Sequence, residues 1–134
     1  MDIRHKLNSY RPLIREINYL ERKIEAMRDR QTSIRSSSDV SEVQASGGNS
    51  DKIGNSVAAL NDLEDMYLRK IEKANAELRE IETLIDTLEP VERLLMRARY
   101  IDGEYFEHIC GIIGYSYRQT MRIHKCAIRK LQQQ

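Results

Sequence analysis

Tryptophan is absent from this 134-residue chain, phenylalanine occurs once, and aromatic residues of all kinds make up 6%. A thick mixed core built on large rings is thereby excluded, and 32% charged residues fit long amphipathic helices instead. The two cysteines, Cys110 and Cys126, are too few for a disulfide scaffold. Both fall among apolar neighbours at small-residue positions, so packed thiols are expected. No apolar run approaches the ~20 residues that cross a bilayer, and the opening "MDIRHKLNSYR" lacks the apolar core of a signal peptide. A soluble, intracellular chain with no membrane partner is expected. At this length it makes one compact domain, or one small domain joined to an extended helical element.

A further absence is local. The formal net charge is only +1, yet residues 111–134 hold Arg118, Arg122, Lys125, Arg129 and Lys130 and no carboxylate. Elsewhere the balance alternates: nine Lys/Arg face five Asp/Glu over residues 1–35, whereas five face eleven over residues 36–88. A basic end of this kind has a local meaning, either as a solvated face or as a surface for a polyanion.

Apolar spacing divides the chain into segments. Ile3, Leu7, Tyr10, Ile14 and Ile17 step by four and three, and Leu20, Ile24 and Met27 resume the rhythm after one shortened step, a helical stripe with a stammer. Pro12 either lies in the first turn of a helix that begins near Arg11 or kinks a longer one. Residues 32–56 are dominated by Ser, Asn, Gly and Asp and keep no period, which predicts a flexible linker. Its glycines do not make a phosphate-binding loop, because no Gly-Lys-Ser/Thr ending follows and no strand precedes. From Val57 the stripe Leu60, Leu63, Tyr67, Ile71, Ala74, Leu78, Ile81, Ile85 and Leu88 predicts a second helix. The expected organisation is therefore a coiled-coil helix over 1–31, the linker over 32–56, a second coiled-coil helix over 57–88 and a separate domain over 89–134. The two long helices, one net basic and one net acidic, should pair as an antiparallel hairpin that mediates homodimerisation. Exchange of helices between two chains stays open, because so long a linker is unusual for a tight hairpin.

The last third carries the functional signal. "EPVERLLMRARYIDG" reads as a short helix with Pro90 in its first turn and Asp102-Gly103 at its stop. "EYFEHICGIIGYS" places Phe106, Ile109, Cys110 and Ile113 on one face before Gly114, which reads as the turn between two helices. Ser116 and Gln119 form a Ser-x-x-Gln capping box for the last helix. Thr120, Ile123, Ala127, Ile128 and Leu131 should face inward, leaving Tyr117, Arg118, Gln119, Met121, Arg122 and Lys125 outside. With Ser116 these six form a candidate DNA-binding set. Guanidiniums can fork onto guanine, an amide can pair with adenine, and any acid on that face would be held against phosphates.

Other chemistries fit less well. "GIIG" mimics the loop of a KH module, but its flanks are helical. The pairs His108/Cys110 and His124/Cys126 cannot chelate locally, since residues two apart on a helix point to different faces. His124 is expected beside DNA phosphate. No nucleophile-base-orienter set is visible, so neither an enzyme nor a cofactor is expected.

Residues 88–131 resemble the C-terminal promoter-reading domain of bacterial sigma factors. Arg99-Tyr100, Gly103, Ile109, Gly114, Ser116, Ile123, Ala127 and Leu131 stand at the matching spacings. The whole arrangement, from N-terminal helix through the Ser/Gly segment to the terminal module, is similar to the ArpU- and RinA-like phage transcriptional regulators of Gram-positive hosts. That resemblance implies an all-α fold and a double-stranded-DNA-binding activator of late phage or prophage genes, working in the bacterial cytoplasm, with host RNA polymerase as a further partner. Two alternatives are kept: an interaction protein whose sigma-like module docks on RNA polymerase or a host regulator without reading DNA, and a small DNA-packaging (terminase) recognition subunit.

Overall fold

The computed structural model describes the backbone over residues 2–38 and 48–134, and side chains over 2–32 and 55–134. Among the described residues the chain is all-α, with no strand. Its helices are α1 (Ile3–Leu7), α2 (Tyr10–Ser38), α3 (Gly48–Ile85), α4 (Pro90–Tyr100), α5 (Phe106–Ile113) and α6 (Tyr117–Gln132). The predicted linker is thus shortened from both sides: α2 continues to Ser38 and α3 begins at Gly48. Extending a nucleated helix costs little per residue, so a poor local composition does not stop it at once. Residues 39–47, the middle of that linker, lie outside the described residues.

The N-terminal helix is two helices. Asp2 accepts from the Arg4 backbone N–H at 3.1 Å and caps α1, and the Asn8 side chain closes its other end on the Arg4 carbonyl at 2.8 Å. After that break α2 begins afresh at Tyr10, which places Pro12 in its first turn, where a missing N–H leaves nothing unsatisfied. The break also resets the phase. Leu13, Ile17, Leu20 and Ile24 are the buried positions, with Met27 half-buried, so the seam steps by four, three, four and three. Leu13 takes the place expected for Ile14, and the stammer disappears.

Two compact units divide the chain, one of residues 15–72 and one of residues 1–14 with 73–134. In the first, α2 and α3 are joined by ion pairs between Glu16 and Lys70 at 2.8 Å and between Arg28 and Glu64 at 2.9 Å. The later residue of α2 pairs with the earlier residue of α3, so the helices run antiparallel. These pairs are largely solvated and mark the register more than they stabilise it.

The second unit is larger than the expected 89–134. Helices α4 to α6 do not enclose their core alone. Leu7 from α1, Ile81 and Ile85 from the end of α3, and Leu88 from the turn after it supply the missing faces against Leu95, Met96, Ile109 and Leu131. Lys6, nearly buried, is held between Glu77 at 2.8 Å and Glu80, and these contacts raise its pKa against the opposing effect of burial. The Glu77 carboxyl is held below its usual range mainly by Lys6 and Ser9. At the head of α4, Pro90 occupies the first turn, and Glu89 and Glu92 form a reciprocal capping box.

Candidate nucleic-acid interface

Helix α5 ends because Gly114 turns left-handed, at φ 76° and ψ 28°. A Cβ there would touch nothing within 4 Å, so the backbone conformation, not crowding, calls for glycine. The N–H groups of Gly114 and Tyr115 both return to the Cys110 carbonyl, at 2.9 and 3.2 Å. Three residues separate α5 from α6: the Ser116 hydroxyl accepts from the Gln119 N–H at 3.2 Å, and the Ser116 carbonyl accepts from the Thr120 N–H at 2.8 Å. Ser116 therefore caps α6 as expected, while the Gln119 side chain faces solvent.

The inward face of α6 is anchored by Thr120, Ala127, Ile128 and Leu131, all at most 2% exposed, with Ile123 half-buried. Helices α1, α4 and α5 all pack on α6. His124 also belongs to this side. Its Nε2 lies 2.7 Å from the Tyr100 hydroxyl, and Phe106 meets its ring edge-on at 5.1 Å. Burial, reinforced by the nearby Arg4 and Arg99 guanidiniums, pushes its pKa below the usual histidine value. His124 is thus a neutral packing residue, not the phosphate-facing one expected, because its helical position places it beside Thr120 and Ile128. Burial raises the Tyr100 phenol, which keeps its proton.

The outward face holds Tyr117, Arg118, Gln119, Arg122 and Lys125, all exposed, together with half-buried Met121. Arg129, one of the five cations of the acid-free end but not a member of the candidate DNA-binding set, is also exposed. Positions 118, 122, 125 and 129 are spaced by four, three and four, so at 100° per residue they fall within an arc of about 60°. That spacing is legible in the sequence itself. Among the described residues no ion pair reaches any of the four. Lys130, off this arc, is the cation that is paired, with Glu92 at 2.7 Å. The bond to Glu92 is also what raises the Lys130 pKa.

The chain matches no protein-family model, no curated protein and no solved structure. What α6 can do is therefore read from its own groups. Among the described residues no three His, Cys, Asp or Glu side chains converge to hold a metal ion, and His108 is engaged by Glu104 at 2.5 Å. Nor is any described helix long and apolar enough to cross a membrane. The packed thiols expected of both cysteines are corrected in part: Cys110 is half-buried, but Cys126 is exposed on α6. It lies beside a groove of about 420 Å³ that Val91, Tyr115, Ile123 and Arg122 also line.

Proposed function

We propose that the chain is a sequence-specific double-stranded-DNA-binding transcriptional regulator in which α5, the turn at Gly114 and α6 act as a helix-turn-helix. On the resemblance to sigma-like phage regulators it activates phage genes. The observation that carries this reading is the placing of Arg118 and Arg122 on α6. Arg118 is the second residue of the helix and Arg122 lies one turn on, with no acid in the first turn. A helix N-terminus carries partial positive charge, so a cation there opposes local stability by a few tenths of a kcal/mol at an exposed site. Arg118 does not recover that cost from an ion pair within the described residues, and Arg122, one turn on, makes none either. Tyr117 and Gln119 flank them with a hydroxyl and an amide, groups that hydrogen-bond phosphates and base edges.

The test is duplex binding by the Arg118→Ala/Arg122→Ala double variant, measured across a salt series on genomic fragments selected by footprinting. The expected result is weaker binding, a flatter salt dependence and loss of discrimination between sites. Wild-type affinity and slope in the double variant would refute the assignment. A second reading, docking on RNA polymerase without reading DNA, is favoured by the exposed apolar side chains Val91, Leu94, Ile112 and Tyr115. It predicts a wild-type chain that leaves every duplex unprotected.

A further inference from the structure

We propose that the DNA contact of α6 extends over its whole outward face, with Lys125 and Arg129 as phosphate-binding residues behind the base-reading first turns. This inference rests on the DNA-binding reading and adds to it a backbone clamp at the C-terminal half of the helix.

Three observations carry it. First, the four cations of the arc are spread over eleven residue steps, or ~16 Å of helix axis at 1.5 Å per residue. The major groove is ~12 Å wide, so a helix that seats Arg118 among base edges brings its far end to the groove's rim, where the phosphates lie. Second, the arc is free of compensation. The last acidic side chain in the sequence is Glu107, and no acidic side chain occurs on α6. Glu92, which does reach α6, is nearly buried and takes Lys130, the cation that points away from the arc. Third, the helix dipole explains only part of the pattern. Cations in the last turn complement the negative helix end, which accounts for Arg129 and Lys130 alike. It accounts neither for Arg118 at the opposite end and Arg122 and Lys125 between the two ends nor for the alignment of all four on one side.

A side chain that neutralises one phosphate contributes ~0.9 to the slope of log K against log salt and carries no sequence preference. Single and double alanine variants of Lys125 and Arg129 in the full chain should therefore flatten the slope by ~0.9 per residue. From 50 to 200 mM salt each contact is then worth an extra ~3.5-fold in affinity lost by the wild type. The loss should be equal on specific and unrelated duplexes, whereas that of Arg118→Ala/Arg122→Ala is larger on the specific site. Arg129→Lys should keep the wild-type slope, which a packing role for the guanidinium would not predict, and far-UV circular dichroism checks that each variant is folded. Wild-type affinity and slope in a folded Lys125→Ala/Arg129→Ala variant, beside a loss in Arg118→Ala/Arg122→Ala, would overturn the clamp and leave the reading of the first turns standing. Failure of the wild type to bind any duplex would overturn both.

Discussion

Replacing Thr120 with valine should make the C-terminal unit more stable, and the expected gain follows from one atom. Thr120 is fully buried on the inward face of α6, and its hydroxyl oxygen has no hydrogen-bond partner. A buried hydroxyl left unpaired costs ~1–3 kcal/mol in proteins. Valine has nearly the same shape, carries a methyl group in place of the hydroxyl and differs little from threonine in helix propensity. The substitution therefore removes the desolvation cost without opening a cavity, and the net expectation is a gain of about 1–2 kcal/mol. Urea unfolding followed by circular dichroism at 222 nm would show it as a higher midpoint at unchanged slope, since the surface exposed on unfolding is the same. Thr120→Ser is the opposing control: it keeps the hydroxyl, deletes a buried methyl and should lose about 1 kcal/mol. DNA affinity should not move in either variant, because position 120 points away from the cationic arc. A valine variant that is equally stable or weaker would show that the hydroxyl is satisfied in solution and that the dry packing of α6 is misread.

The pH dependence of stability should carry the mark of His124. Its folded pKa lies below the unfolded value near 6.5, so the unfolded chain binds the extra proton first, and stability is lost as pH falls from about 6.5 toward the folded pKa. The wild type minus His124→Gln difference in stability between pH 7.5 and 5.5 isolates this contribution, and an absent or inverted difference refutes it. At the two left-handed glycines, Gly114→Ala should cost about 1 kcal/mol from backbone conformation alone. Gly103→Ala should cost more, because its Cβ would stand 2.5 Å from the Arg11 Nε, and the guanidinium would have to shift and give up its bond to the Ile101 carbonyl at 3.3 Å; thermal melts rank the two, and the reverse order would contradict the packing. Tyr105 precedes α5 at the cap position without a side-chain cap bond and is 76% exposed. Tyr105→Ser should therefore stabilise by about 0.5–1 kcal/mol, raising the melting temperature by a few degrees, and an unchanged or lower value would count against a missing cap.

The ends of the short C-terminal helices were legible because proline, glycine and serine act through their own backbone geometry: Pro90 opens α4, Gly114 closes α5 and Ser116 caps α6. The stripe of α3 was equally readable, since its three-four spacing is unbroken from Leu60 to Leu88. The phase of α2 was not, because the break at Asn8-Ser9 rests on side-chain bonds that spacing does not reveal. Neither was the division into units. Leu7, Ile81 and Ile85 have the residue types and spacing of a coiled-coil seam, and only contact with Leu95, Ile109 and Leu131 assigns them to a different core. His124 was misplaced because its polarity was weighed above its helical angle, which already put it among the inward residues.

Among the described residues, the one ion pair that α6 makes runs through a single carboxylate. Glu92 Oε1 accepts from the Glu89 backbone N–H at 3.1 Å, which caps α4, and from Lys130 at 2.7 Å, which ties α6 to it. The group is 6% exposed, so it is spent on these two partners and contributes little negative potential at the outer surface of α6. Removing it would leave Lys130 unpaired and break one half of the capping box at the head of α4. Adding an acid to the outward arc would have the opposite fault, neutralising a cation that no other residue needs. The arrangement anchors α6 on one side by packing and a nearly buried ion pair while keeping the other side uniformly positive. The separation leaves the outward cations without an internal partner among the described residues, because the same charges cannot both fasten a helix to the protein and remain available to a ligand.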